Sequence, residues 1–324
     1  MAKAIRMLHT GGPEVMEYVE VEVGEPGPGQ ARVRQHAIGI NYIDVYFRTG
    51  LYPQALPTGL GAEGAGVVEA IGAGVTEVRV GDRVAYAGGP NGAYAEVRLM
   101  PSALLLVLPD AIGFETAAAM MLQGLTVHYL MHSTAALKAG DTVLFHACAG
   151  GVGLIACQWA KKLGVTLIGT VGSEEKAALA TAHGCAHVIN YNKENFTERV
   201  RTITEGKGVS VVYDSVGKDT FIGSLDCLAP LGLMVSFGNS SGPVPPFGLS
   251  ELASRGSLSI TRPSLKNYSA TRAELETRAK ALFAVVASGE VNIGVNQRYA
   301  LEDVQRAHRD LEGRKTTGSS ILIP

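Results

Sequence analysis

The run Gly140-Asp141-Thr142-Val143-Leu144-Phe145-His146-Ala147-Cys148-Ala149-Gly150-Gly151-Val152-Gly153-Leu154 holds the residues best suited to chemistry. Cys148, Gly150 and Gly153 take the three fixed positions of the pattern G-x-G-x-x-G, with cysteine in place of the first glycine. Small residues there let backbone N–H groups at a helix start approach a pyrophosphate, and the helix dipole favours the negative charge. The spacing predicts a bound dinucleotide and, with it, redox chemistry. A glycine loop can also be no more than a tight turn, so the flanking elements decide between the two.

Those elements are a strand and a helix. Thr142 to Phe145 is a short apolar run of β type, while Val152, Ile155, Ala156, Trp159, Ala160 and Leu163 recur at helical spacing before a stop at Gly164. A second apolar run, Thr166 to Val171, completes a βαβ unit of about 30 residues. NAD-binding units place an acid about 20 residues beyond the loop, on the ribose hydroxyls. Here the second strand ends at Gly172, with Ser173 and Lys176 just beyond. A hydroxyl and an ammonium suit a 2′-phosphate that a carboxylate would repel, which points to NADPH over NADH. Ser173 also reads as a helix N-cap, with Glu174 and Glu175 favouring the first turn; the two roles are compatible.

The bulk properties narrow the class. The chain has 324 residues, 46% hydrophobic and 18% charged, which fits a two-domain globular protein. A net charge of −2 gives no electrostatic argument for nucleic acid or a membrane surface. Its 40 glycines follow no period, as expected of an α/β enzyme with many tight turns. No apolar run approaches the ~18 residues of a membrane span, and Met1 to Arg6 lacks a signal-peptide core. Cys148, Cys157, Cys185 and Cys227 lie far apart in sequence without a C-x-x-C, so free thiols in a cytoplasmic protein are expected.

Along the chain the rhythm changes twice. Short β-like runs (Gln30 to His36, Gly66 to Ile71, Gly81 to Tyr86, Ala93 to Leu99), divided by glycine and proline turns, predict a mostly antiparallel, barrel-like unit. Phe114 to Met131 reads as helix. From Asp141 strands and helices alternate, with strands at Thr142–Phe145, Thr166–Val171, His187–Asn190, Ser210–Tyr213, Leu233–Phe237 and Ser257–Thr261, which predicts a six-stranded parallel sheet. After Arg262 come a helix near Thr271 to Ser288, a short strand, a helix from Glu302 and a last strand, Ser319 to Ile323. This tail is too small to fold alone and is assigned to the N-terminal unit. The expected domains are 1–124, 125–261 (the inserted cofactor domain) and 262–324 (the return).

Two further patterns carry other chemistries. Gly238-Asn239-Ser240-Ser241-Gly242 fits the hydrolase motif G-x-S-x-G, but a nucleophile elbow must lead into a helix and Pro243-Val244-Pro245-Pro246 follows. His128 and His132 are four apart on a helix, without the Glu or the third ligand that would make them a metal pair.

The order of these segments resembles the medium-chain dehydrogenase/reductase superfamily and, within it, the zinc-independent quinone oxidoreductases of the zeta-crystallin type. The resemblance runs end to end. It is carried by Gly140 to Leu144, Cys148-Ala149-Gly150-Gly151-Val152-Gly153, Gln158 and Lys161, with Cys148 where relatives have Ser or Ala. Asn41-Tyr42-Ile43-Asp44-Val45-Tyr46, Arg48 to Pro53, Gly61-Ala62-Glu63-Gly64-Ala65-Gly66, Gly124-Leu125-Thr126, Tyr213 to Gly217, Phe237-Gly238-Asn239 and Arg314 to Ser319 match as well. It implies a Rossmann-type doubly wound sheet inserted into a GroES-like catalytic domain.

The resemblance also implies a chemistry. Zinc alcohol dehydrogenases of the superfamily carry Cys at the position of Asn41 and His at that of Ala62, so two of three zinc ligands are absent here. The cysteine-rich structural zinc lobe has no counterpart either. A quinone or conjugated enone spreads developing charge over a second carbonyl or an enolate, so hydrogen-bond donors suffice where an isolated ketone needs a Lewis acid. Asn41, Tyr46, Tyr52 and Arg262 are the candidate donors, the tyrosines having core packing as their other role. Asp44 is expected to orient neighbours or the nicotinamide ribose. The coenzyme, NADPH, is expected on Asn41, Gln123, Thr126, Gly150, Gly151 and Val152, with Ser215, Phe237 and Asn239 at strand ends. Gly172, Ser173, Lys176, Tyr191 and Arg314 surround its 2′-phosphate. The implied activity is NADPH-dependent quinone reduction by a homodimer. A 2-alkenal or enoyl-thioester reductase would use nearly the same site, and a crystallin or RNA-binding role gains nothing from a chain without basic tracts.

Overall fold

The computed structural model describes all residues, Met1–Pro324, and contacts divide them into two units. Unit 1 comprises Met1–Leu125, Ser269–Gly289 and Ile293–Pro324; unit 2 comprises Thr126–Tyr268 and Glu290–Asn292.

Unit 2 is built on six strands: β1 (Thr142–Phe145), β2 (Thr166–Val171), β3 (His187–Asn190), β4 (Val209–Asp214), β5 (Leu228–Ser236) and β6 (Ser259–Thr261). Every pairing is parallel, in the order β3-β2-β1-β4-β5-β6. The order reverses between β1 and β4, the switch point at which such sheets receive ligands beyond the strands' carboxyl ends. Val143, Leu144 and Phe145 are buried, as continuous apolar runs in a sheet covered on both faces must be. Helix α1 (Gly151–Leu163) follows β1 and ends at Gly164, whose φ of 71° suits a residue without Cβ. The side-chain amide of Gln158 on α1 exchanges hydrogen bonds with the backbone of Asn292, at 3.0 and 2.8 Å, which ties residues 290–292 to this unit. Helix α2 (Glu174–Ala182) connects β2 to β3.

Unit 1 contains a seven-stranded mixed sheet centred on Gln30–Ile40, which pairs antiparallel with Glu63–Ile71, Val97–Pro101 and Ser319–Ile323. In its first half, Ala31, Val33 and Gln35 point inward while Arg34 and His36 are exposed; from Ala37 to Ile40 every residue is buried. The core gathers Ile5, Met7, Val33, Ile38, Tyr94 and Leu322 with further aliphatic residues from both ends of the chain. The C-terminal strand thus completes the N-terminal sheet, and the α/β class with one parallel and one mostly antiparallel sheet is as expected.

Several element limits differ from the sequence reading. The helix expected over Phe114–Met131 is two helices, Phe114–Ala118 and Met121–Tyr129, followed by a wider turn over Leu130–Thr134. The carbonyl of Ala119, at the break, lies 2.9 Å from Ser319 Oγ, a tertiary neighbour that local sequence does not reveal. The strand expected at Ala93–Leu99 runs from Val97 to Pro101. β5 begins at Leu228 rather than Leu233, and Pro230-Leu231-Gly232, with Leu231 at φ 63°, bulges where the register with β4 shifts between Val209–Leu228 and Val211–Leu233. No helix follows Ser240 until Ser250, which removes the nucleophile-elbow geometry.

Candidate active site

In unit 1, Asn41 stands immediately before the helix Tyr42–Thr49, and its N–H donates to the carboxylate of Asp44 at 2.9 Å, closing half of a capping box. The Asn41 side chain is held on both sides. Its Nδ2 donates to Glu63 Oε2 at 2.6 Å, and its Oδ1 accepts from Gln123 Nε2 at 3.3 Å. Gln123 is oriented in turn by Ser319, whose Oγ donates to Gln123 Oε1 at 2.7 Å, and Glu63 Oε1 accepts from the Leu122 N–H at 2.7 Å. This chain of donors and acceptors has one direction and leaves the Asn41 amide one orientation.

The two carboxylates behind Asn41 are wholly buried. Burial pushes Glu63 up to about 8, against the donors Asn41 and Leu122, and pushes Asp44 up to about 7, against the Asn41 N–H and the Tyr94 hydroxyl. Asp44 Oδ2 accepts from Tyr94 OH at 2.7 Å, and that hydroxyl also meets His308 Nε2 at 3.2 Å. Asp44 has no exposed surface. The helix Tyr42–Thr49 also carries Tyr42 and Tyr46, whose ring centroids are 5.5 Å apart, and Tyr46 stacks obliquely on Tyr52 at 5.1 Å. Tyr46 is buried and Tyr52 half-buried, so this aromatic row ends at a partly open hydroxyl-bearing ring. Gly50, at φ 83°, stops the helix and allows the chain to return Tyr52 to Tyr46, whose carbonyl accepts from the Tyr52 N–H at 3.1 Å.

In unit 2 the predicted loop lies at the carboxyl end of β1. Gly150 is the N-cap of α1 and supplies no side-chain cap, which leaves first-turn N–H groups to be satisfied from outside. A Cβ on Gly153 would lie 2.5 Å from Cys148 Cα and 2.6 Å from the Ala147 carbonyl oxygen, so that glycine is required by close backbone packing. A Cβ on Gly150 would meet only the Ala147 oxygen, at 3.4 Å. Nothing within the protein demands glycine there. At the tip of β2, a Cβ on Gly172 would meet the Tyr191 hydroxyl at 2.6 Å. Ser173 caps α2 by accepting from the Lys176 N–H at 3.2 Å, so Gly172, Ser173, Lys176 and Tyr191 occupy one strand-to-helix corner. Tyr191 is 41% exposed and lines a surface depression of about 580 Å³ with Asn195, Phe196 and Asp219.

Beyond β4 and β5 lie Ser215, Phe237 and Asn239. Phe237 N–H donates to the Asp214 carbonyl at 2.8 Å, and the Phe237 ring lies 5.7 Å from that of Phe145. Arg262 belongs to unit 2, where Nη1 donates to Ser236 Oγ at 3.1 Å and to the Gly238 carbonyl at 2.9 Å. With the Asn239 amide oxygen facing Arg262 Nη2 at 3.1 Å, the guanidinium braces the loop that carries Asn239. Thr126, on the helix Met121–Tyr129, is half-buried, and Arg314 is exposed in unit 1 at φ 56°. His128 and His132 pack on Trp159 at centroid distances of 5.7 and 5.5 Å, an aromatic cluster in place of the metal pair considered above.

Several residues here had no role assigned from sequence. Glu63 stood within the Gly61–Gly66 segment as a single acid among small residues in a buried strand, which was the available signal. Asp214 closes the apolar run of β4; its Oδ1 accepts from the N–H groups of Val216 and Gly217 at 2.7 and 3.0 Å, and its Oδ2 from Thr220 and Ser224 at 2.7 and 3.0 Å. His146 bridges Thr170 and Ser224, each at 2.9 Å, with burial pulling its imidazole below the usual range. Together they fix the loops at the switch point without reaching solvent.

Residues 27–110 match the alcohol dehydrogenase GroES-like domain family, and residues 151–280 match the zinc-binding dehydrogenase family. A quinone oxidoreductase from Pseudomonas aeruginosa is 56% identical over 100% of both chains. The crystal structure of the Escherichia coli quinone oxidoreductase complexed with NADPH superposes with a TM-score of 0.98 at 52% identity, again over 100% of both. A 2-haloacrylate reductase from a Burkholderia species is 46% identical over 97% of this chain and 96% of its own.

Proposed function

The chain belongs to the quinone oxidoreductases of the medium-chain dehydrogenase/reductase superfamily, and from that membership we infer an NADPH-dependent quinone reductase. The observation that supports the coenzyme assignment is the pair Gly150 and Gly153: the second glycine is required by the protein's own backbone, the first by nothing within the protein, which leaves that position open to a ligand. Gly150, Gly151 and Val152 hold the diphosphate on α1, and Ser173, Lys176 and Tyr191 hold the 2′-phosphate, with Gly172 keeping the strand tip free of a repelling carboxylate. Arg314, added by the family resemblance, is tested by its own substitution. Ser215, Phe237 and Asn239 at the ends of β4 and β5, with Thr126, are the candidate coenzyme contacts in unit 2, and Asn41 and Gln123 are those in unit 1. NADPH supplies the hydride when bound.

The protein's part is to position the acceptor and meet the negative charge that grows on its oxygen. Asn41 commits one Nδ2 hydrogen to Glu63 and keeps the other for an acceptor carbonyl, in an orientation set by Gln123 and Ser319. The hydroxyls of Tyr46 and Tyr52 supply further donors, while Arg262 acts by holding Asn239 in place. Zinc independence rests on the residues themselves. Asn41 is engaged as an amide on both sides, Ala62 offers no donor atom, and Glu63 already accepts two hydrogen bonds. A 2-alkenal or haloacrylate reductase is the second reading, favoured by the Burkholderia relative.

Four free, buried cysteines support a reducing, cytoplasmic setting, and no helix is long and apolar enough to cross a membrane. A homodimer is supported by the edge strand β6, paired on one side only, with exposed Ile260 on it and exposed Leu231 and Leu249 elsewhere in unit 2. Steady-state rates with 1,4-benzoquinone, a 2-alkenal and crotonyl-CoA test the function. The quinone should give the highest kcat/KM; a higher value for either alkene would replace the assignment.

A further inference from the structure

Three of the four cysteines, distant in sequence, meet in the core of unit 2. The sulphurs of Cys148, Cys157 and Cys185 all lie within 4.8 Å of one another and all three residues are buried. They come from three separate places: the loop after β1, the second turn of α1, and the segment between α2 and β3. Gly169 on β2 makes the space. A Cβ there would collide with the sulphur of Cys148 and lie 2.7 Å from that of Cys185. Besides each other, the sulphurs meet backbone groups: Cys157 Sγ is 3.9 Å from the Cys148 carbonyl, and Cys185 Sγ is 3.6 and 3.2 Å from those of Leu167 and His187. Hydrogen bonds from the Cys148 and Cys157 thiols pull Cys185 well below the usual thiol range, so the three sulphurs share their protons within one buried cluster.

We propose that Cys148, Cys157 and Cys185 form a three-sulphur binding site for trivalent arsenic. Bond lengths of about 2.3 Å place three sulphurs around one centre roughly 4 Å apart or less, a spacing these side chains reach with small adjustments. A tetrahedral zinc site needs a fourth ligand that the cluster does not provide. A cation on three thiolates would also leave net negative charge in a buried place, which is costly. Arsenous acid avoids both problems. Three As–O bonds are exchanged for three As–S bonds, each thiol proton leaves with a hydroxide as water, no electrons are transferred, and the product is neutral.

The test incubates the reduced, full-length protein with sodium arsenite, removes unbound arsenite by gel filtration, and measures retained arsenic and titratable thiols after denaturation. The wild type should retain one arsenic per chain and fall from four free thiols to one, Cys227. Cys157→Ala and Cys185→Ser, which lie outside the coenzyme-binding residues and should keep NADPH:quinone activity, should each retain at least about tenfold less. Cys227→Ser should retain as much as the wild type. Substoichiometric arsenic in the wild type, loss of fewer than three thiols, or retention by either cluster variant equal to that of the wild type would overturn the proposal. Activity of the variants, measured in parallel, reports separately on folding and on the quinone reductase assignment.

Discussion

Gly150→Ala isolates the coenzyme's demand on the loop from the protein's own. The backbone at Gly150, with φ −79° and ψ 172°, is open to alanine, and the added Cβ meets a single oxygen at 3.4 Å, an ordinary contact. The folded protein should therefore lose no more than about 1 kcal/mol, the scale of an altered N-cap. A diphosphate seated against α1 meets that methyl directly. Displacing it or stretching its hydrogen bonds should cost about 1.4 to 3 kcal/mol, which is a tenfold to more than hundredfold rise in Kd. Gly153→Ala is the counterpart. Its Cβ would sit 2.5 Å from one backbone atom and 2.6 Å from another, so both stability and binding should fall. Urea unfolding and NADPH titration by fluorescence, run on both variants, separate the two effects. A stable Gly150→Ala protein that binds NADPH as tightly as the wild type would refute the placement of the diphosphate.

Lys176→Ala combined with Arg314→Ala should raise KM for NADPH by well over about tenfold and leave NADH little changed, since each removes a cation available to the 2′-phosphate; the single variants apportion the effect, and equal losses for both coenzymes would reject it. Tyr46→Phe and Tyr52→Phe should each lower kcat with 1,4-benzoquinone by about tenfold to hundredfold, the 1.5 to 3 kcal/mol of a hydrogen bond to developing charge, without changing the Kd for NADPH; unchanged kcat in both would return the rings to a packing role. The buried carboxyls predict a pH effect. Glu63 and Asp44, held up at about 8 and about 7 when folded, contribute stability that is complete below pH ~4 and lost as pH rises through those values. His308, pulled down to about 3 by burial, works in the opposite direction and its gain is complete by pH 6.5. Between pH 6.5 and 8 unfolding free energy should therefore fall, and Glu63→Gln should flatten that decline; a flat wild-type profile over this window would contradict the assignment.

Much of unit 2 was legible because its signals are local. β1, β2 and β3 are short apolar runs bounded by glycine or polar turns, and each occupies the residues read from sequence. Errors arose where a tertiary partner overrides local preference. The break near Ala119 falls where Ser319, some two hundred positions away, packs 2.9 Å from the Ala119 carbonyl, a neighbour that no local pattern announces. Pro230-Leu231-Gly232 has turn composition yet lies within β5. Residues with a direct chemical role stood in recognisable segments, whereas those acting through others did not. Asn41 was named from its motif, but the Ser319–Gln123–Asn41–Glu63 chain links four separate elements that no spacing rule connects. The same holds for the three cysteines, which become neighbours only once the loop after β1, helix α1 and the segment between α2 and β3 have packed.

The central claim, a nicotinamide coenzyme gripped at residues 150–152 that reduces quinones without zinc, is tested most directly by one experiment. Protein dialysed against a strong chelator is titrated with NADPH and then mixed with 1,4-benzoquinone under single-turnover conditions. The account predicts saturable binding of one NADPH per chain, tighter than NADH, followed by oxidation of the bound coenzyme at the same rate as undialysed protein. Absence of saturation at millimolar NADPH, or activity that vanishes on dialysis and returns only with zinc, would contradict it.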